Sequence, residues 1–190
     1  LRAGDVFKYD TAVIFRDDFQ SRSLDRWNLS LDDRYGLRAA EPERIRIVSA
    51  PESANREKAV CFEVERAPNS FRSEISLPHE RGFQERWYAA RILIPRDWTL
   101  DATPGEDIVM QWHAIPGDWR PTYPNLAISS ANDRWYLRQS FGDPKTKPTR
   151  SVTRLDELVK PGDWVSWVVH ARWSPAAEGS LRAWKDGKLM

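Results

Sequence analysis

The sequence predicts an all-β protein, a β-jelly-roll sandwich with few short helices. Three observations predict it. Short segments of alternating polar and apolar character recur along the 190 residues. Turn-forming residues, 13 Pro and 9 Gly, punctuate them. Ten Trp and a 41% hydrophobic content supply a core. Strand-length runs separated by turn signals belong to sandwiches and barrels rather than to helical bundles. The length fits one domain, and 1–190 is read as a single domain.

The elements follow in order. "RIRIVSA" (44–50), "AVCFEVER" (59–66) and "FRSEISL" (71–77) come first. "RWYAARILI" (86–94), "DIVMQWHAI" (107–115) and "NLAISS" (125–130) follow. "RWYLRQSF" (134–141), "DWVSWVVHARW" (163–173) and "LRAWKDGKLM" (181–190) close the series. Most are rich in β-branched or aromatic residues and bounded by Pro, Gly, Asn or Asp. One segment is helix-like: "VTRLDELVK" (152–160), which ends at "PG".

Period-2 alternation assigns faces to these strands. In 107–115, Ile108, Met110 and Trp112 share one side, and Val109, Gln111 and His113 the other. In 71–77, Phe71, Ser73 and Ile75 oppose Arg72, Glu74 and Ser76. In 134–141, Trp135, Leu137 and Gln139 oppose Arg134, Tyr136, Arg138 and Ser140. In 163–173, Val165, Trp167, Val169, Ala171 and Trp173 form an apolar stripe, with Ser166, Val168, His170 and Arg172 opposite. If these four strands share a sheet, their second faces make a polar, partly basic floor.

The net charge of +1 makes the chain no polycation, so neither nucleic acid nor an anionic membrane is expected as a partner. The single Cys61 excludes an internal disulfide and a multi-Cys zinc site. The three His lie far apart, and no metal or other cofactor is expected. No run of eighteen apolar residues occurs. The first residues, "LRAGDVFKYD", do not read as a signal peptide.

A floor of Arg, Gln, His and Tyr lacks the paired carboxyl groups of a glycosidase. Glu63 and Glu65 in "FEVER" are the best local pair, and an exposed strand edge explains them as well. The floor does suit an anionic sugar. In β-elimination a base removes the weakly acidic proton at C5 of a uronate and the bond at C4 breaks. Donors on the carboxylate stabilise the enolate-like dianion that develops. An Arg and an amide supply this. A neutral His or an ionised Tyr serves as base, and a Tyr hydroxyl as acid.

"FRSEIS", then "QWH", then "GDWVSWVVHARWS" and "GSLRAWKDGK" resemble the heparin-lyase-I-like polysaccharide lyases. "RSE" and "QWH" are also similar to the R-[ST]-E-L and Q-I-H motifs of alginate and glucuronan lyases with a concanavalin-like β-jelly-roll fold. The early "FRDDFQSRSLDRWNL" is similar to that family's opening strand, so the resemblance runs from about residue 14 to the end. It implies that Arg72 and Gln111 bind and neutralise the substrate carboxylate. It implies that His113 is the catalytic base or its partner, and that Glu74 orients Arg72. It further implies a secreted or periplasmic monomer that acts on an anionic, uronic-acid-containing polysaccharide.

Around this centre, Arg134, Tyr136 and Arg138 read either as a sugar platform or as a solvated strand face. Lys145 and Lys147 in the "DPKTKP" loop can face an anionic chain. His170 is a further candidate contact, with a structural hydrogen bond as its competing role. The late Y-x-K-x-G-x-Y-like strand that carries such lyases' catalytic Tyr has no counterpart in the sequence. The expectation is that the domain is truncated at its C-terminal end and that this Tyr follows Met190. Two rival readings stay open: a non-catalytic carbohydrate-binding module of the same fold, and a glycoside hydrolase using Glu63 and Glu65.

Overall fold

The computed structural model describes residues 13–28, 44–51, 57–64, 73–98, 106–113, 124–142, 149–174 and 176–190. The chain divides into two compact units, one of Ala12–Glu80 and one of Leu1–Thr11 with Arg81–Met190. Among the described residues every regular element is a strand.

In the smaller unit, β1 (Ile45–Ser49) and β2 (Lys58–Phe62) form an antiparallel hairpin. Arg46 reaches Glu63 at 2.7 Å beside it. The Trp27 indole donates to Asp17 Oδ2 at 2.8 Å and meets the Phe15 ring edge-on. The strand expected over 71–77 is reduced, within its described part, to one bridge between Ser76 and Asn28.

The larger unit is a sandwich of two four-stranded antiparallel sheets. One contains β3 (Glu85–Leu93), β8 (Trp164–Arg172), β9 (Ser180–Lys185) and β10 (Lys188–Leu189), in the order β10-β9-β8-β3. The other contains β4 (Asp107–Trp112), β5 (Leu126–Ala131), β6 (Arg134–Phe141) and β7 (Thr149–Leu158), in that order. One hairpin in each sheet turns through a positive-φ pair, Asn132-Asp133 between β5 and β6 and Asp186-Gly187 between β9 and β10. Such pairs match the twist of the strands that they join.

Alternation along the strands builds the core between the sheets. Leu126, Ile128, Trp135 and Leu137 from one sheet meet Val165, Trp167, Val169, Ala171 and Ala183 from the other. Trp135 and Trp167 are both fully buried and cross edge-to-face, with ring centroids 5.5 Å apart. Neither indole N–H has a hydrogen-bond partner. The two rings therefore hold the sheets together by packing alone. At one end Tyr88 meets Trp112 across the sandwich at 5.1 Å and accepts the Trp173 indole hydrogen at 2.9 Å. Elsewhere Lys185, nearly buried on β9, bonds to Glu157 of the opposite sheet at 2.8 Å and to Asp186 at 2.9 Å.

Two expectations from the sequence are corrected here. The helix-like 152–160 segment lies largely in β7, paired along β6. A helix would need Val152, Leu155, Leu158 and Val159 on one buried stripe. Only Leu155 and Val159 are buried, whereas Val152 and Leu158 are about half exposed. Tertiary pairing with the edge of a formed sheet overrides the weak local propensity. Second, the four polar strand faces do not share one sheet. Strand β8 lies in the sheet opposite β4 and β6, so His170 points away from the side of the sandwich that carries Gln111.

Trp135→Ala should cost about 3–5 kcal/mol in chemical denaturation, as for a large aromatic removed from a close-packed core. Trp135→Phe should cost far less, because no indole hydrogen bond is lost with it.

The Lys185–Glu157 link makes stability depend on pH at both ends. The bond from Lys185 holds Glu157 below the usual carboxylate range. Burial lowers the Lys185 pKa, but Glu157 and Asp186 outweigh it and raise the group above its ordinary value. The contribution of Glu157 is present above the ordinary carboxylate pKa and fades as pH falls through the depressed one. That of Lys185 is present below its ordinary pKa and fades as pH rises through the raised one. The difference in Tm between the parent and Glu157→Gln should be largest near neutrality and shrink in acid and in strong alkali. A difference constant across a pH series of melting curves would contradict the link.

Candidate functional site

The outward face of β4-β5-β6-β7 follows from its register. Gln111 stands opposite Ala127, and Ala127 opposite Arg138, so these three form one row across the sheet. The next row contains Ser129, Tyr136 and Arg154. On the other side of the Gln111 row, Ser140 pairs with Arg150. The Ser140 amide bonds to Asn125, and the Asn125 amide to Trp112, which places His113 at the head of that row. Gln111, His113, Tyr136, Arg138, Arg150 and Arg154 therefore share one face.

This face is recessed along its middle. Strand β5 contributes only small side chains to it, Ala127, Ser129 and Ala131, and the first two are buried although they point away from the core. Long side chains on β4 and β6 stand on either side. These longer side chains screen the small ones from solvent, and the polar strip that they form along β5, the trough, suits an extended ligand.

A β-bulge decides what lines the trough. The β4–β5 register shifts between Ile108 and Met110, so Val109 is the extra residue. Val109 and Met110 both pack against the core, while Ile108 is 47% exposed. Strict alternation puts Ile108 inward with Met110, and the bulge reverses it. The same shift brings Glu106 onto the face of Gln111, which five residues of plain strand could not do.

Glu106 is the residue that sequence reasoning missed. Its carboxylate accepts the Ser129 hydroxyl at 2.8 Å and forms an ion pair with Arg138. Its side chain is only 15% exposed, against 46% for Arg138. Burial, and then the nearby Arg150 guanidinium, lower the Arg138 pKa from its ordinary value, although the group stays charged. Glu106 thus answers a local excess of positive charge. No signal for the bulge exists in "EDIVMQW", so its face was not legible.

The other expected residues fall as follows. Arg134 lies on the same face at the far end, where its guanidinium donates to the Asp156 carbonyl. Glu74 lies in the smaller unit. Arg72, Lys145 and Lys147 lie outside the described residues. His170 occupies the outer face of the opposite sheet and bonds to Glu85 at 2.7 Å. Glu63 is exposed and paired with Arg46, which holds it below the usual carboxylate range. A glycosidase's general acid needs the reverse shift; Glu65 is outside the described residues.

The polysaccharide lyase family profile matches residues 19–190. The chain belongs to the polysaccharide lyase family. Among solved structures it is similar to an endo-β-1,4-glucuronan lyase from the fungus Trichoderma reesei, with a TM-score of 0.61 and 20% sequence identity. The match covers 76% of this chain and 64% of that one, so the chain spans about two thirds of the neighbour's length. At this identity the likeness shows the fold, and it agrees with the all-β sandwich read from the sequence. A search of curated proteins gave no match.

Glu106→Gln keeps an acceptor for Ser129 and removes the charge facing Arg138. Binding of an acidic oligosaccharide should tighten by about 2–5-fold, the scale of a partly exposed ion pair, and become more salt-sensitive. Titration calorimetry at two ionic strengths measures it. Affinity unchanged in Glu106→Gln would mean that Arg138 takes no part in binding.

Proposed function

We propose that the chain is a lyase that cleaves a uronic-acid-containing polysaccharide by β-elimination, with Gln111 and His113 at the reacting sugar. The observation that carries this reading is their placement two positions apart at the end of β4, with Gln111 on the strand and His113 just past it. Both point into the Arg-rich trough and away from the core. The family supports a lyase of polysaccharides, and the glucuronan lyase likeness makes a uronate the leading substrate class.

The chemistry sets what each group must do. The C5 proton of a uronate is weakly acidic because removing it beside a carboxylate makes a dianion. The Gln111 amide donates hydrogen bonds to that carboxylate without competing for the proton. Its contribution grows as charge builds, which lowers the barrier rather than merely the KM. Arg72 is the guanidinium that the motif resemblance assigns to the same carboxylate. His113, two residues beyond Gln111 and just past the end of β4, takes the C5 proton. The electrons form the C4–C5 double bond, the C4–O bond breaks, and the leaving oxygen is protonated by an acid.

Tyr136 is a poor choice for that acid. Strand spacings of about 4.8 Å and a rise of about 3.4 Å per residue put the His113 and Tyr136 backbones roughly 16 Å apart. The two cannot serve one sugar ring. Tyr136 and Arg138 instead suit neighbouring sugars of the same chain, as a platform and as a carboxylate contact. Lys145 and Lys147 are assigned to the polymer on charge alone. A secreted or periplasmic location follows from the same substrate.

The test is the product. β-Elimination leaves a sugar with a C4–C5 double bond that absorbs in the ultraviolet; hydrolysis leaves none, and a binding module leaves the polymer whole. With polyglucuronate as substrate, His113→Ala should lower turnover by about a hundredfold or more, as for loss of a general base. Gln111→Ala should reduce kcat as well as raise KM. Near-normal turnover in His113→Ala would remove it from the mechanism.

A further inference from the structure

The outer face of the second sheet carries a layer of parallel rings. Trp87 on β3 stands opposite His170 on β8, and His170 opposite Arg182 on β9. The Trp87 ring lies 4.2 Å from the His170 ring at an interplanar angle of 15°, and 5.6 Å from Trp184 at 20°. Glu85 holds His170 through its Nε2 at 2.7 Å and so fixes the ring against which Trp87 stacks. Val168, which faces the same way between Ala89 and Trp184, is fully buried.

Trp87 is nonetheless 42% exposed, and it is the one Trp among the exposed large hydrophobic residues described. A large indole held near-parallel to two neighbouring rings, with much of its surface in water, is an arrangement that a core does not need. Exposed arginines flank it. Arg182 and Arg172 stand on the same face, and Arg91 lies over the Trp164 ring at 5.2 Å. Arg172 is balanced by Glu85 opposite it and by Glu178 nearby, so the positive charge beside the exposed ring is that of Arg182 on the same face. A uronate polymer is the complement of such a surface, because each sugar offers a face of C–H bonds and a carboxylate at its edge. A single glycan chain can lie along one ring layer flanked by an arginine, whereas a stable protein partner needs about 800 Å² of surface on each side.

We propose that Trp87, Trp184 and the flanking Arg182 form a second, non-catalytic binding site for the anionic polysaccharide, on the side of the sandwich opposite the Gln111 trough. The proposal rests on the reading of a uronate polymer as substrate. The rings stack on the sugar faces, and Arg182 meets the carboxylates. The two sites lie back to back across two sheets about 10 Å apart, so one molecule can hold the polymer on one side while it cleaves on the other.

The test is electrophoretic retardation in gels containing polyglucuronate, in a His113→Ala background so that the polymer survives. Adding Trp87→Ala should weaken retention by about tenfold, the scale of one aromatic contact. Adding Trp87→Phe should preserve most of it, and the Tm of all three proteins should agree. Retention unchanged by Trp87→Ala overturns the proposal. So does a loss that tracks a fallen Tm, and so does a background protein that the polymer does not retard. Retention through Trp87, together with no unsaturated product from the parent protein with His113 intact, would sink the lyase reading and leave this one standing.

Discussion

The contact between Trp112 and Tyr88 is the constraint on which the trough depends. Trp112 lies between Gln111 and His113 in the sequence, so its direction sets theirs. Its ring packs across the sandwich against Tyr88, and Tyr88 is held in turn by the Trp173 indole. Side chains alternate along a strand, so burying Trp112 turns Gln111 and His113 outward together. Rotating the strand end would bring an amide and an imidazole into an apolar core and put an indole in water, which costs several kcal/mol. The core therefore orients the site, and no loop has to.

The bulge at Val109 complements that anchor. Below it, the phase of β4 is reversed, and Glu106 joins the face that Gln111 occupies. An acidic side chain bonded to Ser129 and Arg138 occupies that part of the face. In the free protein Glu106 offsets the repulsion between Arg138 and Arg150. The trough is thus neither a bare cationic patch nor a neutral one. Its charge is partly balanced in advance.

What the sequence made legible was the alternation. Trp135, Leu137, Trp167 and Val169 face the core as period 2 requires, and Gln111 and His113 share the outward face. What it hid were features set by partners rather than by local pattern. Strand β7 reads as a helix because its apolar residues fall three and four apart. It is a strand because the edge of β6 offers it hydrogen bonds. Strand β8 carries the same polar alternation as β6, yet nothing in its residues says to which sheet it belongs. His170 was therefore grouped with residues that it does not join. Glu106 was invisible because a one-residue bulge leaves no mark in composition.

The most direct measurement is a crystal structure of the His113→Ala protein with a uronate tetrasaccharide bound. The sugar chain should lie in the trough, along Ala127 and Ser129. One carboxylate should accept a hydrogen bond from the Gln111 amide, and the C5 hydrogen of that sugar should point at the space left by the imidazole. An oligosaccharide bound with its carboxylates away from Gln111, or outside the β4-β5-β6-β7 face, would contradict it.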